Sequence, residues 1–292
     1  MDRYYSENYT DPILEIRGLT KQFRNFTLQD INLQLERGYV MGFIGPNGAG
    51  KTTTIKLILN LLRKDSGEIK VFGRDHVLEE KEIKNRIGFV FDKNHYYGVL
   101  TINEMKRLIA PLYSKWDEKT FQKYLKEFNL NPQQKIDSLS KGMKTKFALA
   151  IALSHQAELI LMDEPTSGLD PVFRSELLDI LYYLMQDEKK AILFSTHITS
   201  DLERIADYIT FINRGRIIFS AEKDRILEKY TLVKGPLGAL DSSLEREFIG
   251  LRKSPLGFEG LLGEMSRLRG LEDKVVLQRP TLDDIMVYFV KA

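Results

Sequence analysis

Cysteine is absent from the chain. That rules out a disulfide framework and any thiolate metal site, and it fits a reducing compartment. Long apolar runs are missing too. No stretch approaches the roughly 18 consecutive apolar residues of a membrane-spanning helix, so any membrane association is expected to come through a partner. The opening Met1-Asp2-Arg3-Tyr4-Tyr5-Ser6-Glu7 lacks the apolar centre of a secretory signal. Neither sign of charge is in excess: 43 Lys and Arg stand against 41 Asp and Glu, a net of +2, so no nucleic-acid partner is expected. No internal repeat is visible. What is present is 292 residues with 43% apolar content, enough for one large domain or one with a small companion.

The stretch Gly45-Pro46-Asn47-Gly48-Ala49-Gly50-Lys51-Thr52-Thr53 organises the rest, with its glycine, four residues, then Gly-Lys-Thr. The apolar run from Tyr39 to Ile44 before it reads as a buried strand. Ile55, Leu57, Ile58, Leu59, Leu61 and Leu62 after it are dense enough for a largely buried helix. Strand, loop, helix is the context the pattern needs. Glycines let the backbone curl until successive N–H groups point inward at phosphate oxygens, and the helix N-terminus adds partial positive charge. Lys51 can reach the β- and γ-phosphates of a nucleotide, and the Thr52 hydroxyl can hold Mg²⁺. Upstream, Phe23 either stacks on a base or packs in the core, and Phe26 is expected in the core.

Ile13–Ile16 and Phe26–Leu35 read as strands of a small β-layer beside this loop, and Asp65–Ile69 turns into another strand. Ile87–Phe91 is a buried strand that ends at Asp92. Thr101 to about Ala157 reads as mostly helical, opened by a Thr101/Glu104 capping box, with Trp116 and Phe121 packed inside it. Ser140 and Gly142 open one of these helices. A hydroxyl and free N–H groups there make either an anion site or an ordinary serine cap.

Leu159–Met162 is an apolar strand that ends in Asp163 and Glu164. In a phosphate-loop protein, an Asp at this strand end holds the Mg²⁺ shell, and the adjacent Glu can act as general base on water. Ser167-Gly168-Leu169-Asp170-Pro171 is a tight turn before a helix from Phe173 to Met185. His197 lies just past the strand Ala191–Ser195, where parallel α/β sheets gather their ligands, so it is placed to contact a terminal phosphate. His76, His95 and His155 read as surface or packing residues. A hairpin turns at Asn213-Arg214-Gly215. Residues 223–292 alternate short apolar runs with turns and read as a small lobe without visible chemistry. Its last helix, opened by Pro280, has Leu282, Ile285, Met286 and Phe289 on a docking face.

In their order, these motifs resemble the ATP-binding subunit of ABC transporters over residues 13–220. Leu139-Ser140-Lys141-Gly142-Met143 is similar to the signature Leu-Ser-Gly-Gly-Gln, and Leu161-Met162-Asp163-Glu164 to the second Walker motif. Ser167-Gly168-Leu169-Asp170 is similar to the loop through which two subunits communicate. His197 matches the switch histidine, and Phe23 the base-stacking aromatic. The resemblance implies an α/β fold: a P-loop NTPase core with a mixed sheet, an antiparallel β-layer, a helical subdomain and a small C-terminal lobe. The divisions are an arm at 1–12, the ATP-binding domain at 13–222 with its helical part at about 97–157, and an extension at 223–292.

The resemblance also implies an ATPase with ATP and Mg²⁺ as its ligands. Gly45, Pro46, Asn47, Gly48, Ala49, Gly50, Lys51, Thr52 and Thr53 surround the phosphates. Thr52, Asp163 and Asp92 stand at the metal, and Lys51, Glu164 and His197 serve hydrolysis. Two copies are expected to close head to tail over two ATP molecules. Ser140 and Gly142 of one copy then reach the γ-phosphate held by the other, with Met143 and Asp170 in the same nucleotide-facing set. A membrane-spanning partner on a separate chain, holding the protein at the cytoplasmic face, converts closure and reopening into transport.

Two departures qualify the resemblance. Asp92 stands where the family carries glutamine. It either approaches the metal through water, adding negative charge near Asp163 and Glu164, or faces solvent. Lys141 and Met143 replace Gly and Gln, and Lys141 either points outward or adds positive charge at the interface. The tail is shorter than the regulatory domains of many importers, which favours export. The alternative is a soluble ABC ATPase acting on ribosomes or DNA, although the second cassette or coiled-coil arms of those types are missing. A nucleotide-binding regulator without turnover is opposed by Glu164 and His197.

Overall fold

The computed structural model describes residues 12–91, 96–263 and 274–291. Asp92 and His95 lie outside these, as does the arm up to residue 11. The described residues form ten α-helices, and fourteen strands in three sheets.

The central sheet holds β3 (Val40–Ile44), β6 (Ile87–Val90), β7 (Leu159–Asp163), β8 (Ala191–Thr196), β9 (Tyr208–Asn213) and β10 (Arg216–Glu222). Its order is β10-β9-β3-β8-β7-β6. All neighbours run parallel except β10, which returns beside β9 through the Asn213-Arg214-Gly215 turn. β3, β7 and β8 are buried along their whole length. Alternate residues therefore serve two different cores. Met41, Phe43, Leu159, Leu161 and Leu193 face one core; Val40, Ile44, Ile160, Met162, Ile192 and Phe194 face the other.

The first core is closed by α1 (Lys51–Ile58) and an antiparallel sheet of order β2-β1-β4-β5. Its strands are β1 (Leu14–Gln22), β2 (Thr27–Leu35), β4 (Ser66–Val71) and β5 (Arg74–Asp75). Helix α1 stops at Ile58, short of the expected run, because Asn60 takes a left-handed φ of 52°. Leu61 is left 54% exposed. Short α2 (Glu80–Lys84) follows this sheet.

The second core is closed by α3 (Ile102–Ile109), α4 (Glu118–Glu127) and α5 (Lys141–Ser154), with α6 (Pro171–Leu184) and α7 (Thr199–Ile205) beyond them. Thr101 and Glu104 form the capping box, and Trp116 packs 5.2 Å from Phe121, ring centre to ring centre.

After α8 (Lys223–Lys229), the segment expected to be a small lobe of short apolar runs and turns forms a third, antiparallel sheet of order β12-β13-β11-β14. Its strands are β11 (Thr231–Gly235), β12 (Phe248–Ser254), β13 (Gly257–Leu262) and β14 (Val276–Gln278), with short α9 (Ser242–Glu245) before β12. The expected last helix is α10 (Leu282–Lys291), and it buries Leu282, Ile285 and Tyr288.

At the amino ends of the central strands, a charge cluster ties three segments together. Glu158, just before β7, accepts from Arg86 Nε at 2.7 Å and Nη2 at 2.8 Å, and from Arg37 Nη1 at 2.9 Å. The Arg86 guanidinium lies 3.8 Å over the Phe72 ring. Arginine hydrogen bonds pull the Glu158 carboxyl down to about 2.

Candidate active site at the carboxyl ends of the central strands

Parallel pairing sets Ile44 beside Thr196 and Asp163 beside Ser195. Everything that follows β3, β7 and β8 therefore emerges at one edge. Gly45 begins the turn because nothing larger fits: a Cβ there would lie 2.2 Å from the Ile212 carbonyl oxygen. Gly50 caps α1 at a φ of 120°, a conformation suited to glycine. Within the loop the Ala49 N–H donates to Pro46 O at 3.1 Å, and Gly215, from the β9–β10 turn, donates its N–H to Ala49 O at 3.0 Å. Pro46 and Thr53 are half-buried, and Asn47, Gly48 and Thr52 are exposed.

Lys51 is buried by this turn, yet its ammonium stays at the loop mouth. It donates to Gly45 O at 2.7 Å and lies 3.4 Å from Glu164 Oε1. The Thr52 hydroxyl donates to Asp163 Oδ2 at 2.8 Å, and Ser195 Oγ donates to Asp163 Oδ1 at 2.9 Å. Burial pushes the Asp163 carboxyl up in spite of these donors. A buried carboxylate beside an exposed hydroxyl suits Mg²⁺, a hard cation that takes one or two protein oxygens and completes its shell with water and phosphate. Thr52 and Asp163 are the residues that would hold it.

Glu164 follows at a φ of 51°, uncommon for a side chain with a Cβ and frequent where a site demands it. Its N–H donates to Ser195 O at 2.9 Å. Its Oε2 stands 2.7 Å from His197 Nδ1 and 3.3 Å from the His197 N–H. One carboxylate thus sits between an ammonium and an imidazole at the strand edge, an arrangement able to take a proton from water held there.

Ser140, Gly142, Met143 and Asp170 form a second group. Ser140 caps α5 by accepting from the Met143 N–H at 3.2 Å, and Asp170 caps α6 by accepting from the Phe173 N–H at 3.0 Å. Gly142 rests on the Phe173 ring, where a Cβ would come within 2.6 Å, and the Lys141 ammonium lies beside Gly168. Phe23 stands on the β-layer, 38% exposed, 6.2 Å from Phe26 between ring centres. Phe26 packs against the first core, next to Gly50. His76 and His155 are buried. His155 stacks on Tyr113 at 3.8 Å, and burial lowers its imidazole to about 4.

Three contributors were not singled out from the sequence. Ser195, the second donor to Asp163, is a polar residue closing an apolar strand, and that position was its only signal. Phe173 beneath Gly142 and Gly215 beside the phosphate loop depend on contacts made far along the chain.

The family model for the ABC transporter matches residues 28–167. The bacitracin transport ATP-binding protein BcrA of Bacillus licheniformis is 30% identical over 298 residues, covering 96% of this chain and 96% of that protein. The chain belongs to the ABC transporter ATP-binding family. The ABC transporter ATP-binding protein NatA of Bacillus subtilis is 34% identical over 207 residues, 69% of this chain and 84% of that one. A solved ATP-binding subunit of an ABC transporter superposes with a TM-score of 0.66 at 30% identity, over 74% of this chain and 92% of its own. The protein is thus an ATP-binding subunit of an ABC transporter and an ATPase, with the α/β P-loop architecture of that family.

Proposed function

We propose that this ABC subunit powers export of a cargo through a separate membrane-spanning chain, by closing head to tail with a second copy over two ATP molecules. The observation that carries the reading is the carboxylate of Glu164 held between Lys51 and His197, one residue past the Asp163–Thr52 pair. Residues 45–53 wrap the phosphates, with Lys51 turning to the β- and γ-oxygens. Thr52 and Asp163 would hold Mg²⁺, with Asp92 as a proposed further oxygen donor, and the ion would supply positive charge to offset that of the phosphates. Glu164 takes the proton of the attacking water, and His197 holds that carboxylate in line. Phe23 lies under the base.

The second group completes the site from the other copy. Ser140 and Gly142 bring a hydroxyl and helix N–H groups to the γ-phosphate, Met143 and Asp170 line the same face, and Lys141 adds positive charge. This division of labour explains why the signature turn carries donors and no base.

A partner surface lies at the end of β6. A cavity of about 350 Å³ is lined by Phe89, Phe91, Tyr96, Met105, Leu112 and His155 among others. Leu61, Phe89 and Leu112 on its rim are exposed. No helix among the described residues is long and apolar enough to cross a membrane. An apolar segment of a membrane-spanning chain fits this cavity and would hold the subunit at the cytoplasmic face. The division into residues 13–222 for ATP and 223–292 as an extension follows the same reading.

The test is Glu164→Gln. It should retain ATP, lose steady turnover and accumulate a nucleotide-bound dimer on size exclusion. Turnover at the wild-type rate would remove Glu164 from the base role. Purification from membranes together with a polytopic chain separates this reading from a soluble ABC ATPase.

A further inference from the structure

Helix α7 begins at Thr199, two residues after His197, with only Ile198 between them. Any shift of this helix therefore moves the histidine. The contact it would disturb is short-ranged. His197 meets Glu164 at 2.7 Å through its ring and 3.3 Å through its N–H, and such bonds weaken steeply beyond about 3.5 Å.

Helix α7 is held from three sides. Leu202 lies flat on β3, so close to Gly42 that a Cβ there would clash at 2.5 Å. From α6, Arg174 donates to Asp201 Oδ1 at 2.5 Å and to Ser200 Oγ at 2.7 Å. The third hold comes from the C-terminal lobe. The N–H of Leu282, the first residue of α10, donates to Glu203 Oε1 at 2.9 Å, and Lys223 Nζ donates to the Glu203 carbonyl at 3.0 Å.

The N-terminus of α10 is built to make that contact. Thr281 and Asp284 cap each other, with Thr281 N–H to Asp284 Oδ2 at 2.9 Å and Asp284 N–H to Thr281 Oγ1 at 3.1 Å. The Leu282 donor is directed to Glu203 instead, and a carboxylate at a helix N-terminus is favoured by the helix dipole. Helix α10 is also fixed to both bodies it joins. Tyr288 donates to Glu259 Oε1 of β13 at 2.7 Å, while Phe289 packs on Phe211, Phe219 and Tyr230 at 6.0, 5.7 and 5.6 Å.

We propose that Glu203 is a positioning residue for His197, and that through it the C-terminal lobe sets the alignment of the histidine with Glu164. The proposal rests on the reading of Glu164 and His197 as the hydrolytic pair. Glu203 acts by fixing α7 in register.

The test compares Glu203→Ala, Glu203→Gln and His197→Ala in the full chain. Glu203 is exposed, so none of its variants opens a cavity. Glu203→Ala should lower kcat about fivefold, the factor by which one hydrogen bond of ordinary net strength shifts an equilibrium. KM for ATP and the melting temperature should hold. Glu203→Gln keeps an oxygen acceptor for Leu282 and should restore kcat. Hydrogen exchange at the His197 amide should quicken in Glu203→Ala alone. In the His197→Ala background, Glu203→Ala should have no further effect. Wild-type kcat in Glu203→Ala, failure of Gln to restore it, or multiplicative losses in the double variant would each overturn the proposal. If His197→Ala turns over at the wild-type rate, the hydrolytic reading itself fails, and the positioning role fails with it.

Discussion

Replacing Glu158 by Gln keeps the shape of the side chain and removes the charge that Arg86 and Arg37 share. The carboxyl sits at about 2 instead of its ordinary 4.5, chiefly through the Arg86 hydrogen bond. At ~1.4 kcal/mol per tenfold, that difference is worth on the order of 3 kcal/mol of folding stability at pH 7. The Glu158, Arg86 and Arg37 side chains keep 24%, 23% and 30% of their surface in solvent, so screening trims the figure to about 2 kcal/mol. The sign follows from the folded value lying below the unfolded one. The contribution is complete above pH 4.5 and is lost as pH falls toward 2. Urea unfolding should show the variant about 2 kcal/mol less stable at pH 7, with the gap narrowing as pH falls below 4.5. ATP turnover per folded molecule should not change, because Glu158 lies five residues and ~16 Å along β7 from Asp163. A gap under 0.5 kcal/mol at neutral pH, or one that widens in acid, would refute the argument; the 0.5 threshold is about the scatter expected of a surface change.

Four further perturbations separate the parts of the site. Gly45→Ala drives a Cβ against the Ile212 carbonyl and should weaken ATP binding by more than about tenfold, measured by titration calorimetry, with a stability loss of about 1–3 kcal/mol. Gly142→Ala must displace the Phe173 ring; turnover and nucleotide-driven dimerisation should fall while ATP affinity of the single chain stays constant. Phe23→Ala should cost about 1–3 kcal/mol of nucleotide binding with little change in melting temperature. Phe26→Ala should do the reverse, since Phe26 packs on the first core.

The phosphate loop and the Asp163–Glu164 strand end were legible because each is local: the strand, the turn and the helix start lie within about twenty residues. The capping box at Thr101 and the final helix from Leu282 were legible for the same reason. Other features depend on distance along the chain. Helix α1 ended early at a left-handed Asn60, although Leu61 and Leu62 continued the apolar pattern. The third sheet was hidden because β11 and β14 are five and three residues long, too short for alternation to stand out from turns. The pairing of Ser195 with Asp163 in the site, and of Glu203 with Leu282 beside it, bridges 32 and 79 residues. No pattern in either segment encodes such a contact. It arises when parallel strands align their ends and when a late helix settles on an earlier one.

Gly215 carries no functional group, yet it closes the junction between three segments. Its N–H holds the phosphate loop at Ala49, and its carbonyl receives the Gln29 N–H from β2 at 2.8 Å. A Cβ on it would fall 1.9 Å from the Thr27 carbonyl oxygen. In a saturation scan scored by growth or transport, residue 215 would therefore rank with Lys51 and Glu164 as intolerant of every substitution. At residue 215, intolerance would reflect space and not chemistry. A scan read without the backbone would assign a mechanistic part to a residue whose contribution is to leave room.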